Sequence, residues 1–429
     1  ALEHVSRARA LKPDDPAIAA NLGLVHQALG QIAEAEMALR SSLALEEVQP
    51  EAWYNLGLCL LAARRPADAG PCFERALKIN PGHFQARRQL GVALLNLGQA
   101  AQAAEVLAGC VAALPADPGL QLEYGLALER DGRLEAAATA FERAADPDTP
   151  VRPQSLARLS VARRRLGRLD DAMAAAREAV DLYPGSPDAH RSLGQCLKEA
   201  GELGAAGASF RRAHALLRFP DAGADPSLPT FTMTTRAKLR PDAEQFRWLI
   251  ERGIDGGRFR PALASCEDLL AGLPNSAADG EVFPIPGQRL NETRHWYNRC
   301  LRLAEAPRMP DGPFAAAVDP AVVETDYYRR GPGLAWIDDF LKPEALALLR
   351  QFCLESTIWY DWDHPNGYLG AYLPDGFAAP LFLQIAEELA ERLPGIFGRH
   401  RLLQLWAYKY DSRLSGIDMH ADFAAINVN

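Results

Sequence analysis

The sequence has little of what marks secreted, membrane-spanning or nucleic-acid-binding proteins. Its 429 residues include 7 cysteines and no CxxC pair, which argues against a disulfide framework and favours a reduced protein. No apolar run approaches the roughly 18 residues needed to cross a bilayer, and we find no secretory signal. The net charge of −9 argues against a general nucleic-acid binder. We therefore expect a cytoplasmic protein without nucleic-acid or membrane partners.

Small residues recur at a fixed spacing through the first half of the chain. They are Gly23, Gly57, Gly91, Gly125, Ser160 and Gly194, and they are 34 residues apart except for one interval of 35. Each is followed twelve residues later by an alanine, namely Ala35, Ala69, Ala103, Ala137, Ala172 and Ala206. A helical glycine costs roughly 1 kcal/mol relative to alanine, so its recurrence in register predicts that two helices approach closely there. The period is typical of an array of helix-turn-helix units.

This pattern resembles the tetratricopeptide repeat. The second unit carries the fullest signature, with Trp53, Leu56, Gly57, Leu60, Ala69, Phe73, Ala76 and Pro81. The resemblance covers residues 1–217 and implies an all-α solenoid that contains a partial first unit and six repeats. It also implies a right-handed superhelix with a groove for a protein or peptide.

Three amide side chains share one slot of successive repeats. Asn21, Asn55 and Gln89 each lie two residues before the small residue of their unit. Stacked carboxamides facing the groove could pair with the backbone of an extended peptide, as in peptide-binding tetratricopeptide proteins. The alternative is that they are ordinary solvated positions. Later units break the pattern with Glu123, Arg158 and Ser192.

The periodicity ends near residue 217, and two further regions follow. Residues 218–325 read as a helical connector: a linker to residue 245 rich in Pro, Asp and Thr, and helices at Asp242–Arg252 and Asn291–Ala304. Residues 326–429 read as an α+β domain. Its predicted strands are Leu334–Ile337, Trp359–Trp362 and Leu402–Tyr408, and its predicted helices are Lys342–Ser356 and Pro380–Arg392.

The triplet His420-Ala421-Asp422 is the one constellation that suggests metal chemistry. On a strand, residues i and i+2 project from the same face, so the imidazole and the carboxylate would converge. Together they supply two of the three ligands in the 2-His-1-carboxylate triad of non-haem Fe(II) oxygenases. The alternative is a surface HxD sequence on an unrelated α+β domain.

The surroundings of this triplet resemble the 2-oxoglutarate/Fe(II)-dependent dioxygenases of the prolyl-hydroxylase type. The resemblance lies in the aromatic strand Trp406–Tyr410, the turn at Ser415-Gly416 and the following HxD sequence. It implies a double-stranded β-helix (jelly-roll) domain, of which residues 326–429 would be the N-terminal part. It assigns Fe(II) to His420 and Asp422, and 2-oxoglutarate to Tyr410. The family's third iron ligand and basic cosubstrate-binding residue are then expected beyond residue 429, which implies truncation of the domain.

Two functions follow from these patterns. The first is a 2-oxoglutarate/Fe(II)-dependent oxygenase that hydroxylates a protein or peptide recruited by the repeat groove. The second is a non-enzymatic interaction scaffold. The sequence has no GxxxxGK[ST] phosphate-binding motif and no serine or cysteine nucleophile in a recognisable setting.

Overall fold

The computed structural model describes residues 1–222, 228–254, 257–276, 278–316, 318–330, 333, 335–362, 364, 368–409, 426 and 428. The chain divides into two compact units, Ala1–Ala175 and Ala176–Asn429. The predicted boundaries at residues 217 and 325 remain predictions. Among the described residues, no helix combines the length and the apolar character needed to cross a membrane.

The first unit is an array of antiparallel helix pairs. Its helices are α1 (Leu2–Leu11), α2 (Pro16–Ala28), α3 (Ile32–Leu45), α4 (Pro50–Ala62), α5 (Pro66–Ile79), α6 (Phe84–Asn96), α7 (Ala100–Ala113), α8 (Pro118–Arg130), α9 (Leu134–Ala144), α10 (Arg152–Arg165) and the start of α11 (Leu169–Leu182). Proline often opens a helix here because the first turn has no use for its missing N–H. Aspartates cap two of the first helices: Asp15 accepts from Ala17 N, and Asp117 accepts from Leu120 N.

The recurring glycines mark where the two helices of a pair meet, as predicted. Each lies against a bulky side chain sixteen residues later: the pairs are Gly23–Leu39, Gly57–Phe73, Gly91–Leu107, Gly125–Phe141 and Gly194–Phe210. A β-carbon at these glycines would lie only 2.5–2.7 Å from the nearest atom of that side chain. The recurring alanines are at most 1% exposed. Close packing between the paired helices therefore explains why the small residues recur.

The second unit begins with the sixth helix pair and continues into a mixed region. Its elements after α11 are α12 (Pro187–Ala200), α13 (Leu203–Arg218), α14 (Pro229–Thr232), β1 (Met233–Thr235), α15 (Arg236–Glu251), α16 (Phe259–Gly272), β2 (Val282–Pro284), a 3-10 turn (Gly287–Arg289), α17 (Leu290–Thr293), α18 (Pro320–Arg329), α19 (Pro343–Glu355), β3 (Leu369–Tyr372), α20 (Pro380–Arg392), α21 (Pro394–Phe397) and β4 (Trp406–Lys409).

The described strands form two small antiparallel sheets. Strand β1 pairs with β2, with Thr234 opposite Phe283, and β3 pairs with β4, with Gly370 opposite Tyr408. These short pairs do not by themselves make the predicted jelly roll. The predictions of helices at 342–356 and 380–392 and of a strand ending near Tyr408 are confirmed by α19, α20 and β4.

Several local predictions in this unit were wrong. The supposed linker at 218–245 contains α14, β1 and the first half of α15, and Thr235 rather than Asp242 caps α15. Residues 335–337 form no strand, and Trp336 is 67% exposed. Within 359–362, only Asp361 makes an isolated bridge.

The predicted helix Asn291–Ala304 is also wrong beyond its first turn. The backbone forms turns at residues 294–298, and from Cys300 on its N–H groups donate to distant partners. Cys300 N donates to Arg218 O, Leu301 N donates to Thr357 Oγ1, and Ala304 N donates to Ser356 Oγ. Once these N–H groups are used in tertiary contacts, a helical ladder cannot form.

Candidate functional site

The first helices of the repeats form the candidate binding surface. Helix α2 packs beside α4, α4 beside α6, and α6 beside α8, and these first helices approach one another more closely than the second helices of neighbouring repeats do. We call this surface the first-helix face.

The three predicted amide residues lie on α2, α4 and α6. Asn21 is exposed, and Asn55 and Gln89 are half-buried. Asn55 Nδ2 donates to Glu51 O, one turn earlier, at 2.8 Å. No hydrogen bond within the described part of the chain engages the side chains of Asn21 or Gln89. The amide groups are thus largely available to a ligand, as their predicted role requires.

An ion pair ends this amide series. Arg88 on α6 binds Glu123 on α8 with two hydrogen bonds of 2.7 and 2.9 Å, and its guanidinium lies 3.5 Å from Asp117. In the next repeat, Arg158 lies 3.8 Å from Glu129. At the slot of the amide series, the fourth and fifth repeats therefore carry Glu123 and Arg158, each paired with a charged residue of the preceding repeat. Sequence reasoning missed this pairing because its partners are 35 residues apart.

A histidine-capped aromatic contact adjoins the amide series. His83 Nδ1 accepts a hydrogen bond from Ala86 N at 3.2 Å, which places the ring proton on Nε2, 3.4 Å from Glu51 Oε2. The rings of Tyr54 and His83 are 5.0 Å apart. Burial raises the pKa of Tyr54, and the nearby Glu51 carboxylate adds to this. These contacts hold the ring of Tyr54, which directly precedes Asn55 on α4, in one position.

The predicted iron and cosubstrate residues lie outside the described residues. This applies to Tyr410, His420 and Asp422. In the described part of the chain, no three His, Cys, Asp or Glu side chains come together as metal ligands would. The nearest described element is β4, which ends at Lys409.

One face of the β3–β4 sheet carries a cluster of titratable and aromatic side chains. The imidazole of His364 is stacked on Tyr368 at 3.9 Å, and its Nε2 lies 2.8 Å from Asp361 Oδ2. The rings of Tyr368 and Tyr408 are 5.0 Å apart. Burial raises the pKa of Tyr372, as does its hydrogen bond to Asp361. Asp361 and His364 supply at most two metal ligands, fewer than a stable site needs.

A buried polar cluster joins the sixth repeat to the rest of the second unit. Arg218 on α13 forms a two-bond ion pair with Asp375, at 2.6 and 3.1 Å, and lies 4.2 Å from the ring centre of Tyr360. The hydroxyl of Tyr360 is 3.1 Å from His214 Nε2. Burial lowers the pKa of His214 to about 4. Burial alone would raise the pKa of Asp375, but Arg218 holds it below its ordinary value. This cluster is structural, since its groups satisfy one another.

Comparison with protein-family models supports the repeat assignment. Two tetratricopeptide repeat models match the chain, one at residues 20–84 and 157–220 and the other at residues 60–118. The chain contains tetratricopeptide repeats. These matches lie in the repeat region, so the oxygenase resemblance of residues 326–429 gains no support from them. No curated protein matches the chain.

Several solved structures are similar to part of this chain. YrrB, a TPR protein with an unusual peptide-binding site, is 21% identical over 44% of this chain and 97% of its own, with a TM-score of 0.41. MamA from Desulfovibrio magneticus RS-1 is 28% identical over 39% of this chain and 95% of its own, with a TM-score of 0.38. PilF of Pseudomonas aeruginosa is 21% identical over 43% and 84%, with a TM-score of 0.38.

Proposed function

We propose that the repeat array is a protein-interaction scaffold that binds an extended peptide segment along its first-helix face. The observation that carries this proposal is the placement of Asn21, Asn55 and Gln89 in one slot of three adjacent helices, with carboxamides largely free for a ligand. A carboxamide donates and accepts at once, so it can pair with the N–H and C=O of a peptide unit.

The spacing of the three helices suits an extended chain. Packed helices lie about 8–10 Å apart, and an extended chain advances about 3.3 Å per residue. One amide of the series would therefore meet about every third residue of the bound segment. Because backbone groups are recognised, the surface would accept many sequences, and side-chain preference would come from its neighbours.

The test uses a defined probe, a library of random dodecapeptides displayed on phage and selected on the purified protein. Affinities of the selected peptides are then measured by fluorescence anisotropy for Asn21→Ala, Asn55→Ala and Gln89→Ala. Each lost hydrogen bond is worth about 0.5–1.5 kcal/mol, so affinity should fall roughly 2- to 10-fold per substitution. Gln102→Ala, an exposed amide on the second helix α7, is the matched control. Equal affinities for all four variants and the wild type would refute the proposal.

A second candidate is the oxygenase, with Fe(II) at His420 and Asp422 and 2-oxoglutarate beside Tyr410. It is favoured by one local observation: β4 is a strand paired with β3 and ends one residue before Tyr410, as the resemblance requires. When bound, the iron would activate O₂ with the cosubstrate. A calorimetric titration with Mn(II) and 2-oxoglutarate tests the site without relying on turnover. Binding that is lost in His420→Ala but kept in the control His400→Ala would support it, and binding unchanged in both would refute it.

A further inference from the structure

A cavity of about 290 Å³ lies between the sixth repeat and the C-terminal part of the second unit. Its described lining comprises Gln195 and Lys198 from α12, Tyr372, Leu373 and Pro374 from the end of β3, and Leu403 and Gln404 from the segment before β4. The volume is near the lower end of the range that bound small molecules occupy. It is large enough for a short piece of a peptide and too small for a folded element.

Direct contacts fix the walls of this cavity. Lys198 is only 8% exposed, and its ammonium donates to Leu403 O at 2.5 Å. Leu373 N donates to Leu405 O at 2.9 Å, which joins the other two lining segments. The cavity is therefore part of the folded second unit rather than a gap between unconnected loops.

The sixth repeat differs from the other repeats at the position that faces the cavity. The residue directly after the small residue is aliphatic in the first five repeats, namely Leu24, Leu58, Val92, Leu126 and Val161. In the sixth repeat this residue is Gln195. An amide thus replaces an apolar side chain in the one repeat that borders the cavity.

The chemistry of the lining indicates what it would bind. The side chains of Gln195 and Gln404 make no hydrogen bond to the residues that the structure describes, so both carboxamides can pair with a peptide unit. Leu373, Pro374 and Leu403 add apolar surface for a side chain. Lys198 adds an ammonium group that donates to Leu403 O within the cavity wall.

We propose that this cavity is a second peptide-binding site, which takes a short extended segment that carries an apolar side chain. The two carboxamides pair with its backbone, and Leu373, Pro374 and Leu403 contact its apolar side chain. The inference rests on the proposed function only in the class of ligand, an extended peptide. The residues involved are separate from Asn21, Asn55 and Gln89.

The experiment selects random dodecapeptides on phage against the wild-type chain and measures each selected peptide by fluorescence anisotropy on four variants, of which Gln195→Ala removes one carboxamide of the cavity. Leu403→Trp narrows the cavity from its rim, and it should fold because Leu403 is 59% exposed. Leu346→Trp, at a leucine that is 58% exposed on α19, is its matched control. The double variant Asn21→Ala/Asn55→Ala probes the first-helix face.

The expected result is a group of peptides that bind at least tenfold more weakly to Leu403→Trp and equally well to Leu346→Trp. These peptides should lose roughly 2- to 10-fold in affinity on Gln195→Ala, and they should share an apolar residue.

The two proposals fail separately in this experiment. If every peptide depends on Asn21 and Asn55 and none depends on Leu403 or Gln195, the cavity proposal is overturned while the proposed function stands. If every peptide depends on the cavity alone, the cavity proposal stands while binding along the first-helix face is overturned. A library that yields no peptide dependent on either surface overturns both.

Discussion

The ring of Phe73 occupies the space that a β-carbon on Gly57 would need. Such a carbon would lie 2.5 Å from Phe73 Cε1, well inside van der Waals contact. Phe73 is itself completely buried. This pair fixes the distance between α4 and α5, and equivalent pairs do so in other repeats.

Gly57→Ala should therefore destabilise the array. Forcing a methyl group against a buried ring costs about 1–3 kcal/mol. The matched control is Gly70→Ala in the same repeat, where a β-carbon meets nothing within 4 Å and helix propensity predicts a gain of up to about 1 kcal/mol. Urea unfolding followed by far-ultraviolet circular dichroism measures both. A similar midpoint for the two variants would contradict close packing at Gly57.

The turn between the two helices of the second repeat provides a second prediction. Arg64 adopts φ 58° in this turn, at a position where other repeats have glycine, such as Gly98 at φ 75°. A side chain in this left-handed region costs about 1–2 kcal/mol, partly offset by the entropy that glycine loses on folding. Arg64→Gly should raise the free energy of unfolding by up to about 1 kcal/mol. Gly98→Ala should lower it by a similar amount, although its β-carbon would meet nothing within 4 Å. A denaturant series in which both changes shift stability in the same direction would refute this explanation.

The ion pair between Arg218 and Asp375 should stabilise the second unit. Asp375→Asn leaves the largely buried guanidinium without its counter-charge, and because Asp375 keeps some exposure we expect a loss of about 2–4 kcal/mol. Glu387→Gln, which breaks the more exposed pair with Arg308, should cost less than about 1 kcal/mol. All tryptophans except Trp53 lie in the second unit, so tryptophan fluorescence during urea unfolding follows that unit. Equal costs for the two substitutions would show that the Arg218 pair is no stronger than a surface pair.

His214 predicts an acid sensitivity in a defined window. Its folded pKa of about 4 is below the ordinary value of 6.5, so the folded state disfavours the protonated ring. The contribution of His214 to the free energy of unfolding is complete above pH 6.5. It falls by about 3 kcal/mol as the pH drops towards 4, since one pKa unit corresponds to 1.36 kcal/mol. Asp375 contributes at lower pH. Because its pKa is lowered in the folded state, its contribution to stability is complete above the ordinary carboxyl value of about 3.9 and is lost as the pH falls below that value.

The measurement is the free energy of unfolding by urea at pH values from 7 to 4, again by tryptophan fluorescence. His214→Asn should flatten the curve between pH 6.5 and 4, whatever it does to stability at pH 7. His295→Asn, at an exposed position, should keep the wild-type slope. A wild-type slope in the His214 variant would assign the acid sensitivity to other groups.

The repeat array could be predicted from the sequence because its determinants are local and recur. Gly57 and Phe73 are sixteen residues apart, and the same relationship returns in other repeats at the same spacing. Helices α19 and α20 were also predictable, since each opens with a proline and carries its own apolar pattern. The amide positions followed from the same register.

Apart from the helix predicted at Asp242–Arg252, which lies within α15 to Glu251, the segment from 218 to 304 was not predictable in this way, because distant residues decide much of its backbone. Tyr297 OH donates to Met233 O, and Gln245 Nε2 donates to Ser356 O, 111 residues away. The cavity was equally hidden, since it requires Lys198 to reach Leu403 across 205 residues. The oxygenase residues Tyr410, His420 and Asp422 lie outside the described residues and remain a prediction.

The docking of α13 also bears on how the chain can evolve. Gly207 has no room for a β-carbon because Leu383 of α20 occupies the space, Arg211 donates to Ala378 O, and Arg218 binds Asp375. Each unit of a repeat array contacts only its neighbours, so a whole unit can be added or removed with little effect elsewhere. A copy of the third repeat inserted in place of the sixth would put Ala104, Ala108 and Pro115 at these positions and lose all three contacts. Gains and losses of repeats are therefore expected upstream, while the last unit is inherited together with the domain that it contacts.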